Sequence, residues 1–250
     1  VTPAPQPSLG RALVLQHHPD EDPGALGPLL VAAGFDITTV ELDQHEPIPR
    51  LDDFDVLLAM GGPMDVWQEA QHPWLVAEKA AIRYWVGDLG RPYLGVCLGH
   101  QLLAEALGGT VGLMEEPEIG VVQIALSPEG RADSVFGDLP EILLGLQWHG
   151  AAVFQPPEGA VVLAGNDHCG VQALRVGTCA WGVQFHVEVE SSTIPKWARV
   201  PEYEETLTRT GSSAASLERA VESNLGTMAD ISRKLFEGIM GLTVGLSLPQ

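Results

Sequence analysis

The chain is poor in basic residues: 13 Lys and Arg stand against 33 Asp and Glu, a formal net charge of −20 over 250 residues. Such a surface repels phosphate backbones and anionic lipid headgroups, so neither nucleic-acid nor membrane binding is expected. No apolar run reaches the about 20 residues that a helical membrane span needs. Cysteine is scarce as well. Its count of three is odd, and Cys97, Cys169 and Cys179 have no metal-ligand spacing, which fits a reducing cytosol better than a disulfide scaffold. None of the eight histidines stands in a zinc-ligand spacing, and no metal or other cofactor is expected. Residues 1–9 are proline-rich, without a basic start or an apolar centre, and read as a flexible leader with no secretion signal.

What is present suffices for a sizeable core. Hydrophobic residues make up 45% of the chain, and no composition break divides it, so residues 10–245 read as a single domain ending in a helical extension. Periodicity predicts a strand at 11–16, a helix at 24–33 and a strand at 36–41, a β-α-β opening that implies a parallel sheet. A third strand at 55–60 runs into Gly61-Gly62-Pro63, a sharp turn. A helix at 73–87 and a strand at 92–96 follow. Short strands then dominate, at 110–114, 120–126, 142–147, 160–164, 171–176 and 180–185. The last two are joined by a two-residue turn, Gly177-Thr178, and an unbroken ladder there would set Cys169 opposite His186. Cys169 reads as a packing residue, with a redox role as the alternative. Leu217, Val221, Leu225, Met228, Ile231, Leu235 and Ile239 mark the buried face of a long helix over 214–240.

Two short motifs carry the chemistry. Tyr93-Leu94-Gly95-Val96-Cys97-Leu98-Gly99-His100-Gln101 places Gly-x-Cys-x-Gly between an apolar strand and a helix, the layout of a nucleophile elbow with cysteine in place of serine. A helix N-terminus at such a turn favours the thiolate through its dipole and free N–H groups. Downstream, Gln184-Phe185-His186-Val187-Glu188 sets an imidazole and a carboxylate two residues apart, on one side of an extended segment. Each motif alone reads as packing. Together, Cys97, His186 and Glu188 form a candidate triad of nucleophile, proton shuttle and orienting group.

With these motifs in this order, the chain resembles the class I glutamine amidotransferases from about residue 11 to about residue 190. The family's G-x-C-x-G-x-Q is matched by Gly95, Cys97, Gly99 and Gln101. The resemblance implies an α/β, flavodoxin-like fold: a central, mostly parallel sheet flanked by helices, with additional antiparallel strands. It also implies that Cys97 attacks the side-chain amide of a glutamine-like substrate to give a γ-glutamyl thioester, with His186 moving the proton and Glu188 orienting it. Gly61-Gly62-Pro63 corresponds to the family's oxyanion loop, so the N–H groups of Gly62 and Leu98 would hold the tetrahedral oxygen. Gly61, Gln101, Gln147, Trp148 and His149 match positions that grip the glutamyl group, although a strand ending in Trp-His also reads as packing. His149 is the rival base to His186. Glu118-Ile119-Gly120 reads either as a segment at the site's mouth or as an ordinary strand entry. Trp67, Trp74 and Trp148 are candidates for an apolar leaving-group pocket or for the core. The chain departs from the family pattern at Ala151, where an acid is usual, and at Val187, where proline is usual.

Three functions follow from this reading. The first is a hydrolase of γ-glutamyl amides that acts alone on a small-molecule substrate. The second is a glutaminase subunit that supplies ammonia to a separate synthase. The third is a binding module that keeps the fold without the chemistry, and the intact triad residues speak against it.

Overall fold

The computed structural model describes residues 10–246, and the expected leader, residues 1–9, lies outside them. In strand β1 (Gly10–Gln16), Ala12 and Val14 face one apolar layer while Leu13 and Leu15 face another, all four fully buried. A strand apolar on both sides is stable only when helices cover both faces of its sheet. β1 pairs in parallel with β2 (Phe35–Glu41) and β3 (Val56–Ala59); β3 pairs in parallel with β4 (Tyr93–Val96), and β4 with β9 (Ala180–Val183). Beyond β9 the pairing turns antiparallel through β8 (Ala173–Val176), β7 (Val161–Gly165), β5 (Thr110–Leu126) and β6 (Ile142–Gln155). The strand order is β2-β1-β3-β4-β9-β8-β7-β5-β6.

Helices α2 (Trp74–Tyr84) and α3 (Leu98–Ala106) cover one face, where Leu75, Ile82, Leu102 and Leu103 meet Leu13, Leu15 and Leu57. Helix α1 (Leu26–Ala32) covers the other. There Leu26 and Leu30 share a core with Val221, Met228, Ile231 and Leu235 of the long C-terminal helix, whose apolar stripe the sequence shows. Among the described residues no helix is long and apolar enough to cross a membrane.

The structure corrects several boundaries. The two strands expected at 110–114 and 120–126 are one strand, β5, with a register shift between Leu113 and Glu118 that absorbs the irregular segment. Its partner β6 runs on to Gln155, so Gln147-Trp148-His149-Gly150 lies inside a strand and not at its end. The β8–β9 turn holds three residues, 177–179, because Val176 pairs with Ala180. That one-residue change moves the register, so Cys169 does not face His186. The Gln184 N–H instead donates to the Gln172 carbonyl, and His186 bridges to Leu146. Three short helices, α4 (Pro128–Arg131), α5 (Thr193–Trp197) and α6 (Pro201–Thr210), precede α7 (Ala214–Leu246).

Candidate active site

Strand β4 ends at Val96, and the chain reverses into α3 within one residue. Cys97 occupies that turn with φ 50° and ψ −103°, a backbone region that side chains rarely adopt. The residues two positions to either side have to be glycine. A Cβ on Gly95 would lie 2.4 Å from the Gly99 carbonyl oxygen, and one on Gly99 would lie 2.0 Å from that of Ala59. The Cys97 N–H donates to Val183 O at 2.8 Å and the Gly99 N–H to Met60 O at 3.1 Å. The Tyr93 hydroxyl, buried under the elbow, donates to Gly99 O at 2.8 Å. Strain of this kind persists only where surrounding bonds hold it.

His186 and Glu188 follow β9, with His186 held in an isolated bridge and Glu188 at a bend. His186 exchanges backbone hydrogen bonds with Leu146, 2.8 Å from its N–H and 3.0 Å to its carbonyl. Its Nδ1 is 2.6 Å from Glu188 Oε1, while the Val187 N–H donates to Glu188 Oε2 at 2.9 Å and fixes the carboxylate. Nε2 is thereby left buried, without a well-aligned protein partner. The Cys97 sulfur acts on this ring at close range. Burial works against the charged imidazolium, but the charges of Glu188 and Cys97 outweigh it and hold His186 well above the usual histidine range. The ring also packs edge-on against Trp197, with centroids 4.7 Å apart.

A second histidine, which sequence reasoning missed, sets the Gly61-Gly62-Pro63 turn. His17 at the end of β1 donates from Nδ1 to Gly61 O at 2.9 Å, and its Nε2 meets both Glu78 carboxylate oxygens at 2.9 and 3.0 Å. Gly61 O and the Gly62 N–H belong to one planar peptide and point in opposite directions. Holding the carbonyl therefore aims the Gly62 N–H. That N–H and the N–H of Leu98 have no hydrogen-bond partner among the described residues. Burial opposes the His17 charge, yet Glu78 raises its pKa above the ordinary value. Both partners of this ion pair are fully buried. Glu78→Ala is expected to cost about 3–5 kcal/mol by stranding that charge. Because the folded pKa of His17 is raised, the pair's contribution is complete below about pH 6.5 and declines as the pH rises through the folded value. Urea denaturation of both proteins at several pH values measures it, and the gap between them should narrow toward alkaline pH.

A cavity of about 230 Å³ opens over Cys97, lined also by Gly62, Leu98, Gln101, Trp148, His149 and the α6 residues Glu202, Tyr203 and Arg209. Gln101 reaches it, but its amide nitrogen already donates to Ala151 O at 3.1 Å and Gln184 Oε1 at 3.0 Å. Gln184 in turn points its amide nitrogen at Cys97 Sγ, 3.5 Å away. Gln147 is fully buried, donates to Gln172 at 2.8 Å, and lies away from the cavity lining. His149 Nδ1 lies 2.8 Å from Ala151 O and Nε2 3.2 Å from Glu118 Oε2, so neither nitrogen is free as Nε2 of His186 is. Burial opposes the Glu118 charge, but bonds from His149, Asn166 and Gln172 hold its pKa below the usual value. Trp74 stacks on His17 and Trp67 stands exposed, leaving Trp148 as the tryptophan of the cavity wall. Burial pushes the Cys169 thiol up to about 11.

The wall formed by α6 escaped the sequence reading although its signals were present: Pro201 at the first turn, Glu202 and Glu204 beside it, and Gly211 in the left-handed conformation at the end. The Arg209 guanidinium lies 3.6 Å from where a Gly150 side chain would begin.

An α/β fold thus brings together a strained cysteine between a parallel strand and a helix, a His–Glu pair and, among the described residues, two backbone N–H groups without a partner. The family profile of glutamine amidotransferase class-I matches residues 24–197, and the chain belongs to that family. It is 34% identical over 158 residues to a glutamine-hydrolyzing GMP synthase subunit of Saccharolobus solfataricus, a match covering 63% of this chain and 78% of that one. To the glutamine-hydrolyzing GMP synthase of Bacillus subtilis it is 35% identical over 61% of this chain, but that match spans only 28% of the longer protein. Among solved structures, a glutamine amidotransferase from Methylobacillus flagellatus superimposes with a TM-score of 0.84 at 26% identity, covering 94% of this chain and 95% of the other. One from Thermotoga maritima gives 0.82 at 26% identity, covering 92% and 97%.

Proposed function

We propose that the protein is a cysteine-dependent amidohydrolase that cleaves the γ-glutamyl amide bond of glutamine or of a related γ-glutamyl compound. The observation that carries this reading is the free Nε2 of His186, which faces the Cys97 sulfur while Glu188 holds Nδ1. Cys97 Sγ attacks the amide carbon and its proton passes to His186. The tetrahedral oxygen is held by the N–H groups of Gly62 and Leu98, a placement worth about 10²- to 10³-fold in rate for each donor. His186 then gives its proton to the departing nitrogen, the C–N bond breaks, and ammonia or an amine leaves a γ-glutamyl thioester. Water, deprotonated by His186, attacks the thioester carbon, and the C–S bond breaks to release glutamate and restore the thiol. Trp148 and His149 flank the glutamyl group, and Gln101 with Gln184 keeps the sulfur in place.

His186→Ala is expected to remove nearly all turnover. Glu188→Gln should be about a hundredfold less damaging, because an orienting group is partly replaceable. Glutamate release by the two variants measures the order, and full activity in His186→Ala would transfer the proton shuttle to His149.

A second reading has its own support. Several relatives are named as one subunit of a glutamine-hydrolyzing GMP synthase, so ammonia made at Cys97 would serve a separate synthase chain. Glutamate release by the purified chain separates the two. Fast turnover of γ-glutamyl amides with bulky amines supports a self-sufficient hydrolase, whereas slow release from glutamine alone supports the ammonia-supplying subunit.

A further inference from the structure

Glu21, in the loop between β1 and α1, has no part in the thiol chemistry proposed above, yet it is built into the triad's surroundings. It is 2% exposed, and the Tyr203 hydroxyl on α6 donates to its Oε1. A Cβ on Gly61 would lie 2.5 Å from Glu21 Oε2 and 3.1 Å from His186 Cε1. The carboxyl group and the imidazole thus converge on a space that only glycine leaves open. The same loop is tied to the site twice more. Trp197, which packs on His186, donates from Nε1 to Asp20 O at 2.7 Å, and the Ala25 N–H donates to Glu188 O at 2.8 Å.

We propose that Glu21 is a positioning residue of the reaction, a second carboxyl group beside His186 that works in its neutral form and leaves His186 able to release its proton to the departing nitrogen. This rests on the thiol chemistry above. The groups that face it are His186 and Glu188 after β9, His17 at the end of β1, and Tyr203 of α6, which itself faces the Cys97 sulfur. Burial pushes the Glu21 carboxyl up to about 7, against the pull of His186, Tyr203 and His17 and with the push of Glu188. One carboxylate next to an imidazole makes it a useful base. A second negative charge would hold the proton on the ring and oppose a thiolate beside it.

Turnover is therefore expected to fall as the pH rises through about 7, in a step that belongs to Glu21. The test uses the full chain from about pH 5.5 to about pH 8.5, with kcat for glutamine as one readout. The other is the rate of Cys97 alkylation by iodoacetamide, resolved at that residue by peptide mass spectrometry, which needs no turnover. Glu21→Gln should lose the step in both profiles. Tyr203→Phe removes a hydrogen bond that favours the ionised carboxyl and should move the step about one unit higher. A step that stays in place in Glu21→Gln overturns the proposal. If that variant does not fold, an unmoved step in Tyr203→Phe overturns it. Absent glutamate release with an alkylation step that follows Glu21 would refute the γ-glutamyl reading alone. Normal release with profiles indifferent to both changes would refute the role of Glu21 alone.

Discussion

Cys97→Ala is expected to abolish glutamate release, by about 10⁴-fold or more, while thermal unfolding stays close to that of the wild type. The magnitude follows from what a nucleophile does in a constellation of this kind: its loss removes the covalent route, and the remaining groups have no thioester to form or break. Stability is spared because the elbow is held by its own backbone N–H groups donating to the Val183 and Met60 carbonyls, bonds that alanine leaves intact. Serine is not a substitute, since Gln184 and His186 are placed around sulfur and the hydroxyl's proton is far harder to remove. Turnover retained in Cys97→Ala would end the thiol mechanism.

Gly99→Ala is expected to damage the fold and not only the chemistry. Its Cβ would lie 2.0 Å from the Ala59 carbonyl oxygen and 2.7 Å from the carbonyl carbon, and both belong to β3. The clash cannot be relieved by a side-chain rotation. Separating α3 from β3 would break the bond from the Gly99 N–H to Met60 and tilt the helix that begins at the nucleophile. Overpacking of a well-packed core costs about 1–3 kcal/mol, and a clash with backbone that cannot rotate away should exceed that range. Urea denaturation measures it against Gly87→Ala, where a new methyl meets nothing within 4 Å. Equal stability of the two variants would mean that the elbow is not packed as described.

Local pattern made the first half of the sheet legible. β1, β3 and β4 are short apolar runs, β2 is rich in β-branched residues, and Gly95 and Gly99 announce the elbow through the close approaches that they permit. Long-range facts were less accessible. Whether the β8–β9 turn holds two or three residues shifts every pairing of that ladder by one, and nothing in Gly177-Thr178-Cys179 decides it; Cys169 moreover lies before β8, where its carbonyl accepts from the Asn166 N–H. Glu21 sits in an acidic stretch, His17-His18-Pro19-Asp20-Glu21-Asp22, that reads as solvated surface. It is buried instead among Gly61, His186 and Tyr203, the last 182 positions away in sequence. Gln101 and Gln147 illustrate a different limit. Motif position marks both alike, yet Gln101 lines the cavity, its amide nitrogen bonded to Gln184 and Ala151, whereas Gln147 lies away from the lining and donates to Gln172.

The central claim is a γ-glutamyl group carried on Cys97. Mixing the purified chain with a γ-glutamyl amide, quenching in acid within the first turnovers and mapping the protein by peptide mass spectrometry tests it directly. A γ-glutamyl adduct confined to the peptide that contains Cys97, and absent from Cys97→Ala, is the predicted result. Glutamate release without such an adduct, or an adduct on another residue, would contradict the account.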